Sequence, residues 1–226
     1  MTAVGRGCLV VFEGGEGAGK STQLQRVAAH LAARGIPHRT FREPGGTPLG
    51  DQIRALLLHA DIAPVPEAEA ALFVASRAQL VRTELLPALA RGEVVLLDRF
   101  LLSTYAYQVG GRGLPESEVR GANRLATQGL VPDLTLLFAL DPVTGLARAG
   151  ARGAADRIER ADAAFHARVA AAFRAFTEPA WQATHPECGP IVPIAADGSE
   201  TEVAHRVNAA LEHHLASFAG ATGWAV

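Results

Sequence analysis

The segment from Gly14 to Ser21 constrains the fold more than any other part of the sequence. Its residues, Gly-Gly-Glu-Gly-Ala-Gly-Lys-Ser, match the spacing G-x-x-x-x-G-K-[ST]. An apolar run precedes the motif and an amphipathic segment follows it, so the motif joins a predicted strand to a predicted helix. Backbone N–H groups and a helix N-terminus can then surround a phosphate, and small residues leave room for it. The sequence therefore predicts a phosphate-binding loop in an α/β fold.

The loop supplies the predicted ATP-binding residues: Gly14, Gly15, Glu16, Gly17, Ala18, Gly19, Lys20 and Ser21. Lys20 is the only lysine among 21 basic residues, which suggests that this site needs a compact ammonium rather than a guanidinium. The Ser21 hydroxyl is a predicted ligand of Mg²⁺. Asp98 ends the apolar run Val94 to Asp98 and is the second predicted metal residue, because P-loop folds present such a carboxylate to the metal.

Strand-like and helix-like segments alternate along the chain, which is typical of βαβ units and a parallel sheet. The predicted strands are Leu9 to Glu13, His38 to Arg42, Val94 to Asp98, Leu134 to Leu140 and Ile191 to Ala195. The predicted helices include Lys20 to Arg34, Glu67 to Arg91 and Glu202 to Leu215. We therefore expect a single domain, residues 1–226, with a P-loop NTPase fold: a five-stranded parallel sheet flanked by helices, and a short lid at about residues 149–160.

Composition narrows the classes of protein that fit. A net charge of -2 argues against a nucleic-acid partner, because proteins that coat nucleic acid carry a basic surplus. No apolar run approaches the roughly 20 residues of a membrane span, and the N-terminal run is too short for a signal peptide. Cys8 and Cys188 lack metal-ligand spacing. We expect a cytoplasmic protein with no membrane partner.

Two segments rich in Gly and Arg, Gly110 to Gly113 and Gly150 to Arg160, are candidates for mobile loops that face phosphate. A switch-like GTPase is excluded by motif, since Asp98 is followed by Arg-Phe-Leu and no second lysine remains for an Asn-Lys-x-Asp guanine reader. A kinase with a small acceptor needs arginines from several loops to hold a second phosphate, and Arg42, Arg99 and the lid arginines meet that need. The alternative to a kinase from a different functional class is a protein that binds a nucleotide without catalysing a reaction.

Seven short motifs, in order from about residue 8 to about residue 215, resemble the thymidylate kinase family of the bacterial kind. They are Phe12-Glu13-Gly14 with the loop, Arg42 to Pro48, Phe73 to Gln79, Asp98-Arg99-Phe100 with Ser103 to Gln108, Gly111-Arg112-Gly113, Pro132 to Thr135, and Asp156 to Glu159. The resemblance implies phosphorylation of dTMP to dTDP by ATP with Mg²⁺, a step of dTTP biosynthesis, by a homodimer. A kinase for another nucleoside monophosphate is the alternative.

The resemblance also implies the acceptor site. Its dTMP-binding residues would be Glu16, Arg42, Pro44, Phe73, Arg77, Arg99, Ser103, Thr104, Tyr107 and Gln108. Arg42 and Arg99 would hold the acceptor phosphate, Phe73 would stack on thymine, and Arg77 would bind the edge of the base. Glu16 would meet the sugar 3′-hydroxyl and help to organise Mg²⁺, Pro44 would touch the thymine methyl, and Tyr107 would crowd a 2′-hydroxyl.

The catalytic residues implied by the resemblance are Lys20, Arg99, Arg152 and Arg157. Some family members carry a catalytic arginine in the phosphate loop and others carry it in the lid; this loop has no basic residue before Lys20, so the chain resembles the lid-arginine type. Arg152 or Arg157 would close over ATP, and the segment Ala195 to Gly198 would touch adenine. Phe100 departs from the family, where Tyr or His is common at this place.

Overall fold

A single parallel sheet organises the protein. The computed structural model describes residues 6–59, 63–151 and 156–222. The strands lie in the order β2-β3-β1-β4-β5 and are all parallel. Their bounds are β1 (Leu9–Gly14), β2 (His38–Arg42), β3 (Val94–Asp98), β4 (Leu134–Ala139) and β5 (Ile191–Ala195). The predicted fold class is confirmed, and the predicted strand bounds differ by one residue in β1 and β4.

Helices connect the strands and cover both faces of the sheet. The α-helices are α1 (Lys20–Ala33), α2 (Pro48–His59), α3 (Pro66–Leu80), α4 (Leu86–Ala90), α5 (Leu101–Thr104), α6 (Glu116–Thr127), α7 (Pro142–Gly150), α8 (Ala163–Ala175), α9 (Pro179–Thr184) and α10 (Glu200–Thr222). Two π-helical segments, Val81–Leu85 and Tyr105–Gly111, and a 3₁₀ turn, Pro186–Cys188, complete the order. Within the described residues, no helix is both long enough and apolar enough to cross a bilayer.

The central strands are apolar on both faces because each face packs against helices. Leu9 and Val11 of β1 belong to a core shared with α3, α5 and α8, whereas Val10 and Phe12 belong to a second core shared with α1 and α10. Every residue of β1 is buried. This explains why Leu9 to Phe12 of β1 appear in the sequence as a continuous apolar run rather than as an alternating pattern.

The long helix predicted over Glu67 to Arg91 is present but is not uniformly α-helical. It begins at Pro66, passes through the π segment Val81–Leu85 and ends as α4 at Ala90. Pro87 lies near the start of α4 and lacks the N–H that would continue the α-helical hydrogen bonds. Near Pro87, where the sequence predicts a bend, the helix changes from π-helical to α-helical just before this residue.

The prediction of a mobile loop at Gly110 to Gly113 is wrong for its first half. Gly110 and Gly111 are the last residues of the π segment Tyr105–Gly111, which packs against α8. A Cβ on Gly111 would lie 2.5 Å from the ring of Phe165, and one on Gly110 would lie 2.9 Å from the Cβ of Ala172. These glycines allow close packing of two helical segments, and the sequence pattern alone does not distinguish that role from flexibility.

The fold brings the carboxyl ends of β1, β2 and β3 to one edge. Phe12 and Arg42 are both register partners of Asp98. β3 and β2 lie on one side of β1 in the sheet, whereas β4 and β5 lie on the other. Such a switch point in the strand order opens a crevice at this edge. The predicted site residues of the loop, of β2 and of β3 therefore converge here.

We expect Val95→Ala to lower the free energy of unfolding by about 2 kcal/mol, because Val95 is fully buried in the central sheet and two methyl groups are lost. Urea unfolding followed by circular dichroism measures this change. Val143→Ala is the matched control, since Val143 is 76% exposed on α7 and its loss should change stability by less than about 0.5 kcal/mol. Equal losses in both variants would contradict the description of the core.

Candidate active site

The phosphate loop lies between β1 and α1, as the motif predicts. Gly19 precedes α1 with φ 85°, a left-handed conformation that favours glycine. Gly17 also has positive φ, and a Cβ at this position would overlap the carbonyl oxygen of Gly145 on α7. The loop is therefore closely packed on one side, while its backbone N–H groups and the start of α1 are available for an anion.

Lys20 folds back over the loop and is 6% exposed. Its ammonium donates to the carbonyl oxygens of Gly14 at 3.0 Å and Gly15 at 2.7 Å. Burial, followed by the nearby charge of Arg99, lowers the pKa of Lys20 to about 8. The lysine is thus a cation held in a site of low polarity, where a phosphate would stabilise its charge.

Ser21 and Asp98 meet directly, since the Ser21 hydroxyl donates to Asp98 Oδ2 at 2.5 Å. One hydroxyl and one carboxylate beside a phosphate loop fit Mg²⁺, which takes oxygen ligands and completes its shell with water and substrate phosphates. Within residues 6–59, 63–151 and 156–222, no group of three or more His, Cys, Asp or Glu forms a cation cage. A cation at this place would thus share its coordination with the substrate.

Glu13 organises the segment that follows β3. It is fully buried at the end of β1, and its Oε1 accepts hydrogen bonds from the backbone N–H of Phe100 at 2.7 Å and of Ser103 at 3.1 Å. Its Oε2 accepts from the Ser103 hydroxyl at 2.6 Å. The carboxylate thereby satisfies N–H groups at the start of α5 that have no partner within the helix. Sequence reasoning gave Glu13 no role, although a carboxylate inside a buried strand was a signal.

Arg99 lies at the centre of the site in a backbone conformation that is rare for a non-glycine residue, with φ 71°. Its guanidinium donates to the Gly14 carbonyl oxygen at 3.2 Å, to the Ser103 hydroxyl at 3.0 Å and to Glu16 Oε1 at 2.6 Å. Although burial lowers the pKa of Arg99, the carboxylate of Glu16 and other nearby groups raise it above its usual value. Arg99 is therefore a fixed cation between the loop and α5.

Tyr107 and Glu16 lie beside Arg99 in the same site. The Tyr107 hydroxyl donates to Glu16 Oε1 at 2.9 Å, and the guanidinium of Arg99 lies 5.3 Å from the centre of the Tyr107 ring. Burial raises the pKa of Tyr107 above its usual value, so the hydroxyl stays protonated as a donor. The structure thus brings three of the predicted acceptor residues into mutual contact.

A cavity of about 280 Å³ opens beside these residues and collects most of the predicted site. We refer to it as the acceptor cavity. Predicted residues that line it are Glu16, Gly17, Ala18, Gly19, Lys20, Ser21, Arg42, Pro44, Phe73, Arg77, Asp98, Arg99, Ser103, Thr104, Tyr107 and Gln108. Phe73 is half-buried: it packs on the core and also lines the cavity, so its core and binding interpretations are compatible.

Arg54 of α2 also lines the acceptor cavity and was missed by sequence reasoning. It donates to the Pro44 carbonyl oxygen at 3.0 Å. Burial, followed by the charges of Arg42 and Arg99, lowers the pKa of Arg54. Three arginines therefore repel one another around one space, an arrangement that an anion would stabilise. The helical pattern of α2 gave no sign that Arg54 faces inward.

Arg77 is more deeply buried than its predicted role suggests, with 2% of its surface exposed. Its guanidinium donates to Glu43 Oε2, to the Thr104 hydroxyl, to Asn123 Oδ1 and to the carbonyl oxygen of Phe100, at 2.5 to 2.8 Å. A second nitrogen lies 2.6 Å from Glu43 Oε2. A bond from Arg77 to a base would thus be shared with these partners, and direct binding to the base stays a prediction.

The two predicted lid arginines have different outcomes. Arg152 lies outside the described residues. Arg157 does not line the acceptor cavity; its guanidinium donates to Glu69 Oε2 at 2.6 Å and to the Leu57 carbonyl oxygen at 2.8 Å. A buried carboxylate binds the guanidinium of Arg157 in this structure, and its closure over ATP stays a prediction. Asp156 and Glu159, its neighbours, form a capping pair that sequence spacing could have indicated.

A second cavity, of about 860 Å³, lies on the other side of the loop. Gly15, Glu16 and Ala18 line it together with Arg148 of α7 and Asp197 after β5. Arg148 donates to the Ala196 carbonyl oxygen at 3.3 Å, which joins α7 to the segment predicted to touch adenine. Residues of the loop therefore line two cavities.

Comparison with known proteins gives a consistent result. The family model described as thymidylate kinase matches residues 12–185. A thymidylate kinase from Deinococcus radiodurans is 50% identical over 168 residues, which are 74% of this chain and 82% of that relative. One from Synechococcus sp. is 46% identical over 206 residues, 91% of this chain and 95% of that relative. The chain therefore belongs to the thymidylate kinase family of phosphotransferases.

Proposed function

We propose that the site transfers the γ-phosphoryl group of ATP to the phosphate of dTMP, which yields dTDP and ADP and contributes to dTTP biosynthesis. The observation that carries this proposal is that Arg99 bonds to the phosphate loop at the Gly14 carbonyl oxygen and lines the acceptor cavity. Lys20 of the loop lines this cavity together with Arg42 and Arg54, so one space holds cations enough for two phosphate groups. Family membership supports ATP as donor and dTMP as acceptor.

The reaction needs no strong general base. A phosphate monoester has a second pKa of about 6, so the acceptor phosphate is largely dianionic at neutral pH. One of its oxygens forms a bond to the γ-phosphorus while the bond from that phosphorus to the β,γ-bridging oxygen breaks, and ADP leaves with the electron pair. Catalysis then consists of in-line positioning and neutralisation of charge.

The described residues divide these two tasks. Lys20 and the start of α1 would hold the β- and γ-phosphates, and Arg99 would neutralise charge between donor and acceptor. Arg42 and Arg54 would bind the acceptor phosphate, while Phe73 would stack on the base. Ser21 and Asp98 would hold Mg²⁺, which neutralises charge on the phosphates when it is bound.

Three further proposals accompany the function. Two buried cysteines, Cys8 and Cys188, are both unpaired and fit the reducing cytoplasm. The homodimer that the resemblance implies is a proposal that light scattering of the purified protein tests. We also propose that the lid supplies a catalytic arginine, and Arg152 is the better candidate because Arg157 is bonded to Glu69.

The affinity of the wild-type protein for a non-hydrolysable ATP analogue should fall about tenfold between pH 7 and pH 9 at constant ionic strength. Lys20 has a pKa of about 8 without ligand, bound phosphate favours its protonated form, and the lysine loses its proton as the pH rises through this value. Isothermal titration calorimetry measures the change. Lys20→Arg should show a smaller pH dependence, and Lys20→Ala should bind weakly at both pH values and lack turnover. The same slope in all three proteins would contradict the role of Lys20.

We expect Arg152→Ala to lower the single-turnover rate by about 10³-fold, the usual effect of removing an arginine that neutralises transition-state charge. Arg157→Ala is the matched variant; it should lower thermal stability, because Glu69 loses a partner, and change the rate less. Rapid-quench measurements with saturating ATP and dTMP compare the two. Unchanged rates in both variants would place the catalytic arginine elsewhere.

Coupled assays with a panel of nucleoside monophosphates test the proposed substrate. We expect dTMP to have the highest kcat/KM, and TMP with a ribose to be about 10- to 100-fold poorer because the Tyr107 ring crowds a 2′-hydroxyl. Tyr107→Phe keeps the ring and should keep this preference, whereas Tyr107→Leu should reduce it. A purine monophosphate as best acceptor would favour the alternative kinase, and absence of any turnover would favour a nonenzymatic binder.

A further inference from the structure

A buried carboxylate outside the predicted site, Glu69 of α3, bonds to a side chain that lines the acceptor cavity, Gln108. Glu69 is 1% exposed. Its Oε1 accepts from Gln108 Nε2 at 3.1 Å and from Arg112 Nε at 3.0 Å. Its Oε2 accepts from Arg112 at 3.0 Å and from Arg157 at 2.6 Å. Three side chains from two segments, the end of the π segment Tyr105–Gly111 and the region of Arg157, thus converge on one carboxylate.

The charge of Glu69 decides which end of the Gln108 amide it contacts. Although burial raises the pKa of Glu69, the hydrogen bonds from Arg112 and Arg157 together lower it below its usual value. An ionised carboxylate only accepts hydrogen bonds. The amide of Gln108 must therefore present its NH₂ group to Glu69, because the reverse orientation would place two oxygens against each other in a buried space.

This orientation leaves the carbonyl oxygen of Gln108 directed away from Glu69. Gln108 lines the acceptor cavity, and in the described part of the chain no donor bonds to its Oε1. The neighbouring arginine, Arg77, gives its hydrogen bonds to other acceptors. The carbonyl oxygen of Gln108 is therefore a hydrogen-bond acceptor of fixed position in the cavity.

We propose that Glu69 is a specificity-determining residue that orients Gln108 so that its carbonyl oxygen accepts the ring N–H of an imide base. Thymine and uracil carry such an N–H at position 3, whereas cytosine has a lone pair there. This inference rests on the proposed function, because it takes the acceptor cavity as the site of the base. It adds that Glu69, which touches no substrate, selects among pyrimidines.

Bound cytosine would place the lone pair of its ring nitrogen against the carbonyl oxygen of Gln108, so two hydrogen-bond acceptors would face each other. Rotation of the Gln108 amide would relieve that contact but would turn its oxygen toward Glu69. Either arrangement leaves a buried acceptor without a donor, which corresponds to about tenfold to hundredfold in binding. Gln108 therefore discriminates between bases only while the side chain at position 69 accepts hydrogen bonds and does not donate them.

The test compares Glu69→Gln with Arg112→Lys by the ratio of kcat/KM for dTMP to that for dCMP. An amide at position 69 donates as well as accepts, so Gln108 can rotate, and the ratio should fall about tenfold or more. Arg112→Lys loses the two-nitrogen contact with the same carboxylate but keeps the positive charge that holds Glu69 ionised, so the melting temperature should fall and the ratio should not. An unchanged ratio in Glu69→Gln, or an equal fall in both variants, would overturn the proposal.

A second measurement covers the case in which Glu69→Gln does not fold. In ¹³C,¹⁵N-labelled wild-type protein, the side-chain NH₂ protons of Gln108, assigned by their loss in Gln108→Met, should show nuclear Overhauser effects to the Glu69 side chain both without and with dTMP, since dTMP contacts the oxygen. Loss of these effects when dTMP binds would show that the NH₂ group turns to the base and would overturn the inference. Failure of the proposed function is distinguishable, because wild-type protein would then show no preference for dTMP.

Discussion

The geometry of the site depends on the buried carboxylate of Glu13. It joins the end of β1, which begins the phosphate loop, to the start of α5 through bonds to Phe100 and Ser103. Arg99, the residue before Phe100, is thereby held in an unfavourable backbone conformation that directs its guanidinium back to the Gly14 carbonyl oxygen. One carboxylate thus links the strand that leads into the phosphate loop to the segment that carries Arg99.

Excess positive charge is the second feature that shapes the site. Arg42, Arg54 and Arg99 face one cavity, and Lys20 lies at its edge. The pKa values of Lys20 and Arg54 are lowered by burial and then by nearby arginines, which indicates that the folded chain holds these two cations at an energetic disadvantage. Arg99 differs, because despite burial Glu16 and other nearby groups raise its pKa. Phosphate groups bound in this space would stabilise the charges of Lys20 and Arg54, so their binding would offset the cost of burying these cations.

Local sequence was sufficient for the fold and for the position of the phosphate-loop motif between β1 and α1. The Gly14 to Ser21 motif and the alternation of segments depend on neighbours in the chain, and both agree with the structure. The roles of Arg54 and Glu69 depend on contacts between distant segments, and a single sequence does not contain them. Arg77 shows the same limit: its spacing from Phe73 placed it on the correct helix face, but its four partners come from three other segments.

The π-helical segment Tyr105–Gly111 explains how one short stretch can reach both the phosphate loop and α3. Its wider turn is marked by a hydrogen bond from the Arg112 N–H to the Tyr107 carbonyl oxygen, five residues earlier, at 2.9 Å. Tyr107 bonds to Glu16 on the loop, whereas its neighbour Gln108 bonds to Glu69 on α3. Because Gly110 and Gly111 pack closely on α8, the wide turn is fixed in place. Adjacent residues can therefore contact different parts of one nucleotide without a flexible loop between them.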